Sequence, residues 1–162
     1  MSPTTDSAPR TDLAGTLRIT EIFHSIQGES SRVGLPTVFV RLTGCPLRCA
    51  WCDTAYAFSG GEALAIDEVL RRVTAFDCAS VCVTGGEPLA QKGCLALLDA
   101  LCDAGYSVSL ETSGALDIGG IDRRVARIMD LKAPGSGEHG RNRWQNLELL
   151  TDRDELKFVL AS

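Results

Sequence analysis

Histidine is nearly absent from this chain: His24 and His139 are the only two in 162 residues, and neither falls in a Ser/His/Asp or metal-ligand pattern. Basic clusters are missing as well. With 16 Lys and Arg against 21 Asp and Glu, a formal net charge of −5 and no basic helix, the chain makes a poor partner for nucleic acid. No hydrophobic run is long enough to cross a bilayer, and no amphipathic segment carries the basic face that a membrane surface would attract. No secretory signal and no internal repeat is evident. The cysteine count is odd, at 7, which argues against a disulfide framework and for a reducing compartment. The expectation is a cytoplasmic protein without nucleic-acid or membrane partners, acting on a small molecule.

What is present fits one domain. A chain 44% hydrophobic and of this length can bury a single core. Residues 1–14 mix Ser, Thr, Pro and Asp without periodicity and read as a disordered N-terminal tail, leaving 15–162 as the folded domain. Short apolar runs then alternate with amphipathic ones, which suits a chain wound strand, helix, strand. Strands are expected at Leu17 to Ile22, Thr37 to Leu42, Val81 to Val83, Tyr106 to Leu110, Arg127 to Leu131 and Leu156 to Leu160. Helices are expected at Ile66 to Ala75, with Glu62, Asp67 and Glu68 as its solvated start, and at about Gln91 to Ala104, which Gly105 stops.

The strongest local signal is Cys45-Pro46-Leu47-Arg48-Cys49-Ala50-Trp51-Cys52, a C-x3-C-x2-C spacing directly after a strand. A closed structural zinc site or a ferredoxin cluster takes four protein ligands, so three thiolates leave one metal corner open to a substrate or cofactor. The other readings are chance and a zinc loop whose fourth ligand lies elsewhere. Cys78, Cys82, Cys94 and Cys102 stand singly in apolar stretches and read as small core hydrophobes. Polar loops recur after the strands: the cysteine loop after Leu42, Thr84-Gly85-Gly86-Glu87 after Val83, Glu111-Thr112-Ser113-Gly114 after Leu110, and Lys132-Ala133-Pro134-Gly135-Ser136 after Leu131. In parallel α/β barrels such strand-end loops converge on one face. Taken singly, Gly85-Gly86 and Gly135 are equally well turn residues.

The cysteine spacing together with Gly85-Gly86-Glu87 after the next expected strand resembles the radical S-adenosylmethionine (SAM) superfamily. Within it, the segments from Phe23 to Ser30, Phe39 to Cys45, Trp51 to Thr54 and Asp130 to Gly137 are similar to the 7-carboxy-7-deazaguanine synthase family. That resemblance implies a partial, open (β/α) barrel of the radical SAM type. It implies a 4Fe-4S cluster whose fourth iron chelates SAM, and a 5'-deoxyadenosyl radical that abstracts hydrogen from 6-carboxy-5,6,7,8-tetrahydropterin. The product is 7-carboxy-7-deazaguanine, formed with loss of ammonia in queuosine and deazapurine biosynthesis. A homodimer and an electron donor such as flavodoxin are also implied.

Carried onto this sequence, the resemblance makes Cys45, Cys49 and Cys52 the iron ligands. It sets Trp51, Asp53, Gly85, Gly86, Glu87, Ser113 and Ser136 around SAM, with Glu87 near its amino group. Ile26, Gln27, Gly28, Glu29, Arg41, Thr84 and Glu111 would surround the pterin, Arg41 on its carboxylate, and Thr54 would bind Mg2+. Amide and carboxylate groups suit the donor and acceptor edge of a pterin, and a planar guanidinium suits a carboxylate. The lesser reading of Arg41 is half of a strand-edge salt bridge; without the resemblance Thr54 reads as a turn or cap residue, and Lys132, a loop lysine of the usually solvated kind that could also face the site, is left unassigned. Family members continue beyond the point corresponding to Ser162, so a more open barrel with an unpaired edge is expected here. Competing readings are another radical SAM enzyme, such as a glycyl-radical activase, and a zinc module or inactive truncated relative.

Overall fold

Alternation of apolar and polar residues along β-branched segments sets the architecture of the computed structural model, which describes residues 15–160. In chain order the strands are β1 (Thr16–Ile26), β2 (Pro36–Leu42), β3 (Glu62–Ala65), β4 (Ser80–Gly85), β5 (Ser107–Thr112), β6 (Ala126–Asp130) and β7 (Glu155–Lys157). Two helices, α1 (Ile66–Thr74) and α2 (Cys94–Asp103), precede β4 and β5 respectively. The strands form one open sheet in the order β3-β1-β2-β4-β5-β6-β7. β1 is antiparallel to both β2 and β3, and from β2 onward every pairing is parallel. The expected N-terminal tail lies outside the described residues.

The two faces of the sheet have opposite chemistry. Because successive strand residues point to opposite sides, Val38, Val40 and Leu42 of β2, Val81 and Val83 of β4, and Val108 and Leu110 of β5 share one face. All are buried in the core with Ile66, Val69 and Val73 of α1 and Leu97, Leu98 and Leu101 of α2. Their alternates, Phe39 and Arg41, Thr84, Glu111, and Asp130 of β6, face a cavity on the other side. A parallel sheet normally reads as continuous apolar runs because helices cover both faces. Here only one face is covered, and the polar alternates mark the other as the site.

Several expectations need correction. Glu62 begins strand β3 and not the helix: β1 offers an open edge that residues 62–65 pair with, and the Glu62 carboxylate reaches Arg72 at 2.9 Å. The helix expected from Gln91 begins at Cys94, because Gln91 instead uses its side chain to tie Arg18 and Thr43. Leu156 to Leu160 yields only the short β7, ending at Lys157. The connections into β6 and β7 contain no α-helix; Pro134–Ser136, His139–Arg141 and Trp144–Leu149 form 3-10 turns instead. Gly and Pro at 134, 135, 137 and 140 make that stretch a poor helix. Of the four single cysteines, Cys82, Cys94 and Cys102 are buried as expected, whereas Cys78 is half-buried at a turn with its thiol directed to the Pro36 carbonyl. Among the described residues no helix is long and apolar enough to cross a membrane.

The sheet's last strand is held by a buried ion pair. Asp154, just before β7, has a side chain only 1% exposed and accepts from Arg127 of β6 at Nη2 (2.5 Å), Nε (3.0 Å) and backbone N (2.8 Å). Thr151 adds its amide and hydroxyl. Burial alone would raise the Asp154 pKa, but these hydrogen bonds outweigh it and hold the carboxyl below its ordinary value of 3.8. Removing one partner strands the other charge, so Asp154→Ala should cost about 3 kcal/mol in urea unfolding. A depressed native pKa gives stabilisation that is complete above the ordinary value and is lost as pH falls through the native one. Stability of the unsubstituted chain should accordingly fall below about pH 3.8 more steeply than that of the variant.

Candidate active site

A cavity of about 550 Å³ opens on the polar face, at the C-terminal ends of the parallel strands. Cys45, Cys49 and Cys52 lie along its wall, together with Gln27, Arg41, Thr84 and Glu111 from four different strands or loops. The cysteine loop owes its shape to contacts at both ends. Gly44, at φ 98°, donates to the Ala57 carbonyl at 2.7 Å and accepts from Glu87 N at 2.8 Å. Leu47, 1% exposed, anchors the middle in apolar surroundings, and Ala50 N donates to the Ser136 carbonyl at 3.0 Å. Arg48 lies over the Phe58 ring and donates to the Cys45 and Leu47 carbonyls. Burial pushes the Cys45 and Cys49 thiols up from their ordinary pKa, the Lys132 charge acting against this at Cys49. Among the described residues no three His, Cys, Asp or Glu converge on a single-ion centre. The thiols instead border a cavity, which suits a cluster whose corners each take one thiolate.

Two glycines let β4 meet this loop. A Cβ on Gly85, at φ 155°, would stand 2.3 Å from the Leu42 carbonyl oxygen, and one on Gly86 would stand 2.3 Å from the Gly44 oxygen and 2.7 Å from Cys45 Cβ. Both glycines border the cavity. Glu87 does not: it is fully buried and its carboxylate accepts from Leu89 N, Thr112 Oγ1, Ser113 N and Ser113 Oγ, the last at 2.5 Å. The carboxylate expected to meet a ligand ammonium therefore holds the β5 loop, because the turn after Gly86 points it inward. Ser113 remains on the cavity wall. Ser136 is 1% exposed, donates to the Ala133 carbonyl and supports the cysteine loop through its own carbonyl, so it too acts behind the wall. Gly135 packs under Trp51, whose ring atoms would lie 2.9 Å from a Cβ there.

Across the cavity the polar groups interlock. Gln27 Nε2 donates to Glu111 Oε1 at 3.2 Å, Thr84 Oγ1 donates to Glu111 Oε2 at 2.9 Å, and Glu29 N donates back to Gln27 Oε1. Arg41 Nε donates to Glu21 at 2.7 Å, while its guanidinium lies 5.9 Å from the Phe23 ring centre and 5.8 Å from that of Tyr56. Burial would raise the Glu21 pKa, yet bonds from Tyr56 and Arg41 prevail and keep it lowered. The strand salt bridge and a cavity position thus coexist at Arg41. Thr54 donates to Asp53 Oδ1 at 2.7 Å, and both line the cavity, as do Ile26 and Gly28. Thr54 precedes a 3-10 turn without capping it through its side chain.

The radical SAM superfamily matches residues 39–135. The 7-carboxy-7-deazaguanine synthase of Chlorobaculum tepidum is 52% identical over 149 residues, covering 90% of this chain and 68% of the relative. Those of Koribacter versatilis and Thermoplasma acidophilum are 46% and 42% identical, covering 90% and 88% of this chain and 65% and 69% of the relative. The chain belongs to the 7-carboxy-7-deazaguanine synthase family of the radical SAM superfamily. It spans about two thirds of the length of these relatives. A crystal structure of QueE from Escherichia coli shares the fold, with a TM-score of 0.68 at 23% identity over 89% of this chain and 84% of that one. The partial, open (β/α) barrel expected of a radical SAM chain takes the form of an open, mostly parallel seven-stranded α/β sheet.

Membership of the radical SAM superfamily implies a 4Fe-4S cluster and SAM, and the residues fit both. Three reduced thiols border one cavity, and Gly85 and Gly86 expose backbone beside them where any Cβ would collide. Sequence reasoning missed other cavity residues of this radical SAM chain. Asp130 and Lys132 line it, joined at 2.9 Å, although Lys132 reads as a solvated loop lysine in the sequence. Phe23, Tyr56 and Lys157 line it as well. Strand parity could have found Asp130; Phe23 faces the cavity only because a bulge between Ile19 and Glu21 reverses the parity of β1, and Lys157 needed the tertiary fold. The Gly86 contact yields a test. Gly86→Ala should displace the cysteine loop and leave less than half the iron and sulfide per chain after anaerobic reconstitution, whereas Gly140→Ala, with open space around it, should bind the normal amount.

Proposed function

We propose that this chain is a carbon-nitrogen lyase that converts 6-carboxy-5,6,7,8-tetrahydropterin to 7-carboxy-7-deazaguanine with loss of ammonia, in queuosine biosynthesis. The observation that carries the reading is the shared cavity: three thiols and a glycine-edged backbone on one side, and a Gln27–Glu111–Thr84 network with Arg41 on the other. When bound, the cluster and SAM supply the one-electron chemistry and the hydrogen-abstracting radical. The chain's own residues do the rest. Cys45, Cys49 and Cys52 hold iron, their soft sulfur suited to it. Gly85 and Gly86, with Trp51, Asp53 and Ser113, receive SAM, while Glu87 and Ser136 support the loops that do so.

Ile26, Gln27, Gly28, Glu29, Thr84 and Glu111 form the pterin pocket, their amide and carboxylates matching a ring edge of alternating donors and acceptors. Arg41 spends only Nε on Glu21, which leaves its terminal N–H groups to donate to the substrate carboxylate as a bidentate pair. Thr54, which also lines the cavity, offers a hard hydroxyl oxygen that would hold Mg2+, a cation whose charge would favour the substrate carboxylate. Single folded-domain organisation over 15–162, a cytoplasmic setting, a flavodoxin-type donor and a homodimer complete the proposal.

Anaerobically reconstituted protein, given SAM, Mg2+ and a low-potential reductant, should form the deazaguanine acid from the carboxypterin, as followed by chromatography. Cys49→Ala should reduce product below detection; retained turnover in that variant would remove the ligand assignment. Arg41→Met should raise KM by about 10- to 100-fold, the loss of a charge-assisted bond to a carboxylate. An unchanged KM would take Arg41 out of the substrate site.

A further inference from the structure

Lys157 ends β7, at the edge of the sheet, yet it reaches the cavity and pairs with Glu29 of the β1–β2 loop. Ser31 of that loop reinforces the crossing by donating to Glu155 from N at 2.9 Å and from Oγ at 2.6 Å. On its other side β7 is fixed to β6, where Leu131 N donates to the Lys157 carbonyl at 3.0 Å. The ammonium is thus placed from two directions, with its side chain 27% exposed. Burial would lower its pKa, but the bond and charge of Glu29, with Asp130 and Glu111, prevail and raise it, so the group stays protonated.

The question is which donors remain for a pterin. Its pyrimidinone edge offers two donors, the 2-amino group and N3–H, and one acceptor, the C4 carbonyl oxygen. Glu29 and Glu111 both line the cavity and can take the donors. For the acceptor, Gln27 spends one amide N–H on Glu111 Oε1 and keeps one, Thr84 spends its hydroxyl on Glu111 Oε2, and Lys132 is held by Asp130 of its own segment. Lys157 has three N–H groups and spends one on Glu29. We propose that Lys157, aimed by Glu29, donates to the C4 carbonyl oxygen of the pterin and so selects the 4-oxo edge over a 4-amino edge. This assignment rests on the carboxypterin reading of the cavity and adds a residue and a source of specificity to it. A 4-amino group would bring N–H hydrogens toward an ammonium that cannot accept them, and a site built around a donor rejects the mismatched partner strongly.

Binding of pterin-6-carboxylate and of 2,4-diaminopteridine-6-carboxylate to the reconstituted full chain with SAM, read by quenching of pteridine fluorescence, tests this without turnover. The unsubstituted chain should bind the oxo compound about 10- to 100-fold more tightly. Lys157→Met should bring the ratio within about threefold, mainly by weakening the oxo compound. Should that variant fail to fold, Lys157→Arg, which keeps the ion pair but displaces the donors, should also lower the ratio. Equal weakening of both compounds, or an unchanged ratio, would overturn the proposal, since a lysine that merely holds the loop cannot tell them apart. If the unsubstituted chain bound neither compound, the carboxypterin reading would fall and this assignment with it.

Discussion

A carboxylate sealed from solvent, that of Glu87, joins the loops on which the cavity depends. Its backbone amide donates to the Gly44 carbonyl at the mouth of the cysteine loop, and its side chain gathers donors from Thr112 and Ser113 at the end of β5. An anion buried without such partners would cost several kcal/mol. Because hydrogen bonds replace water around it, the loop ends cannot drift apart without stranding a charge. The close approach of Gly86 to Gly44 and Cys45 is the steric half of the same arrangement. Together they set the height of the thiols above the sheet.

Around that fixed point the cavity is charged but balanced. Arg41 is matched to Glu21, Lys132 to Asp130 and Lys157 to Glu29, the first and last pairs joining two different segments and the second joining the end of β6 to the loop that follows it. Partial pairing matters for recognition. A cation with no partner would be costly to desolvate, and one fully enclosed by carboxylate would have nothing left to offer a ligand. Each cation here uses part of its donor capacity and keeps the remainder turned toward the cavity. Such groups are oriented before a ligand arrives, so little reorganisation accompanies binding.

The helix-covered face of the sheet could be read from the valine and leucine runs, since burial against α1 and α2 demands continuous apolar contact at every second position. So could the cysteine loop, whose spacing is chemical and needs no tertiary context. Glu62 was read wrongly because strand β3 exists only by virtue of the β1 edge beside it. The regions after β5 and β6, where the sequence offers polar loops and no expected helix, do break the strand-helix rhythm, their glycines and prolines favouring turns. Glu87 and Ser136 show the limit of matching residues to roles: both stand in the right segments, yet the backbone turns their side chains away from the cavity. Lys157 shows the converse, being placed by a loop more than a hundred residues away in sequence.

The distribution of thiols bears on how iron finds its place. Burial pushes the Cys94 thiol up to about 12 and raises those of Cys82 and Cys102, so these groups remain protonated and inaccessible at neutral pH. During cluster assembly these three sealed cysteines would be out of a metal donor's reach, whereas the partly open thiols of the loop would not. The hydrophobic core thereby withholds three of the four sulfurs outside the loop, and the fourth, that of half-buried Cys78, does not line the cavity.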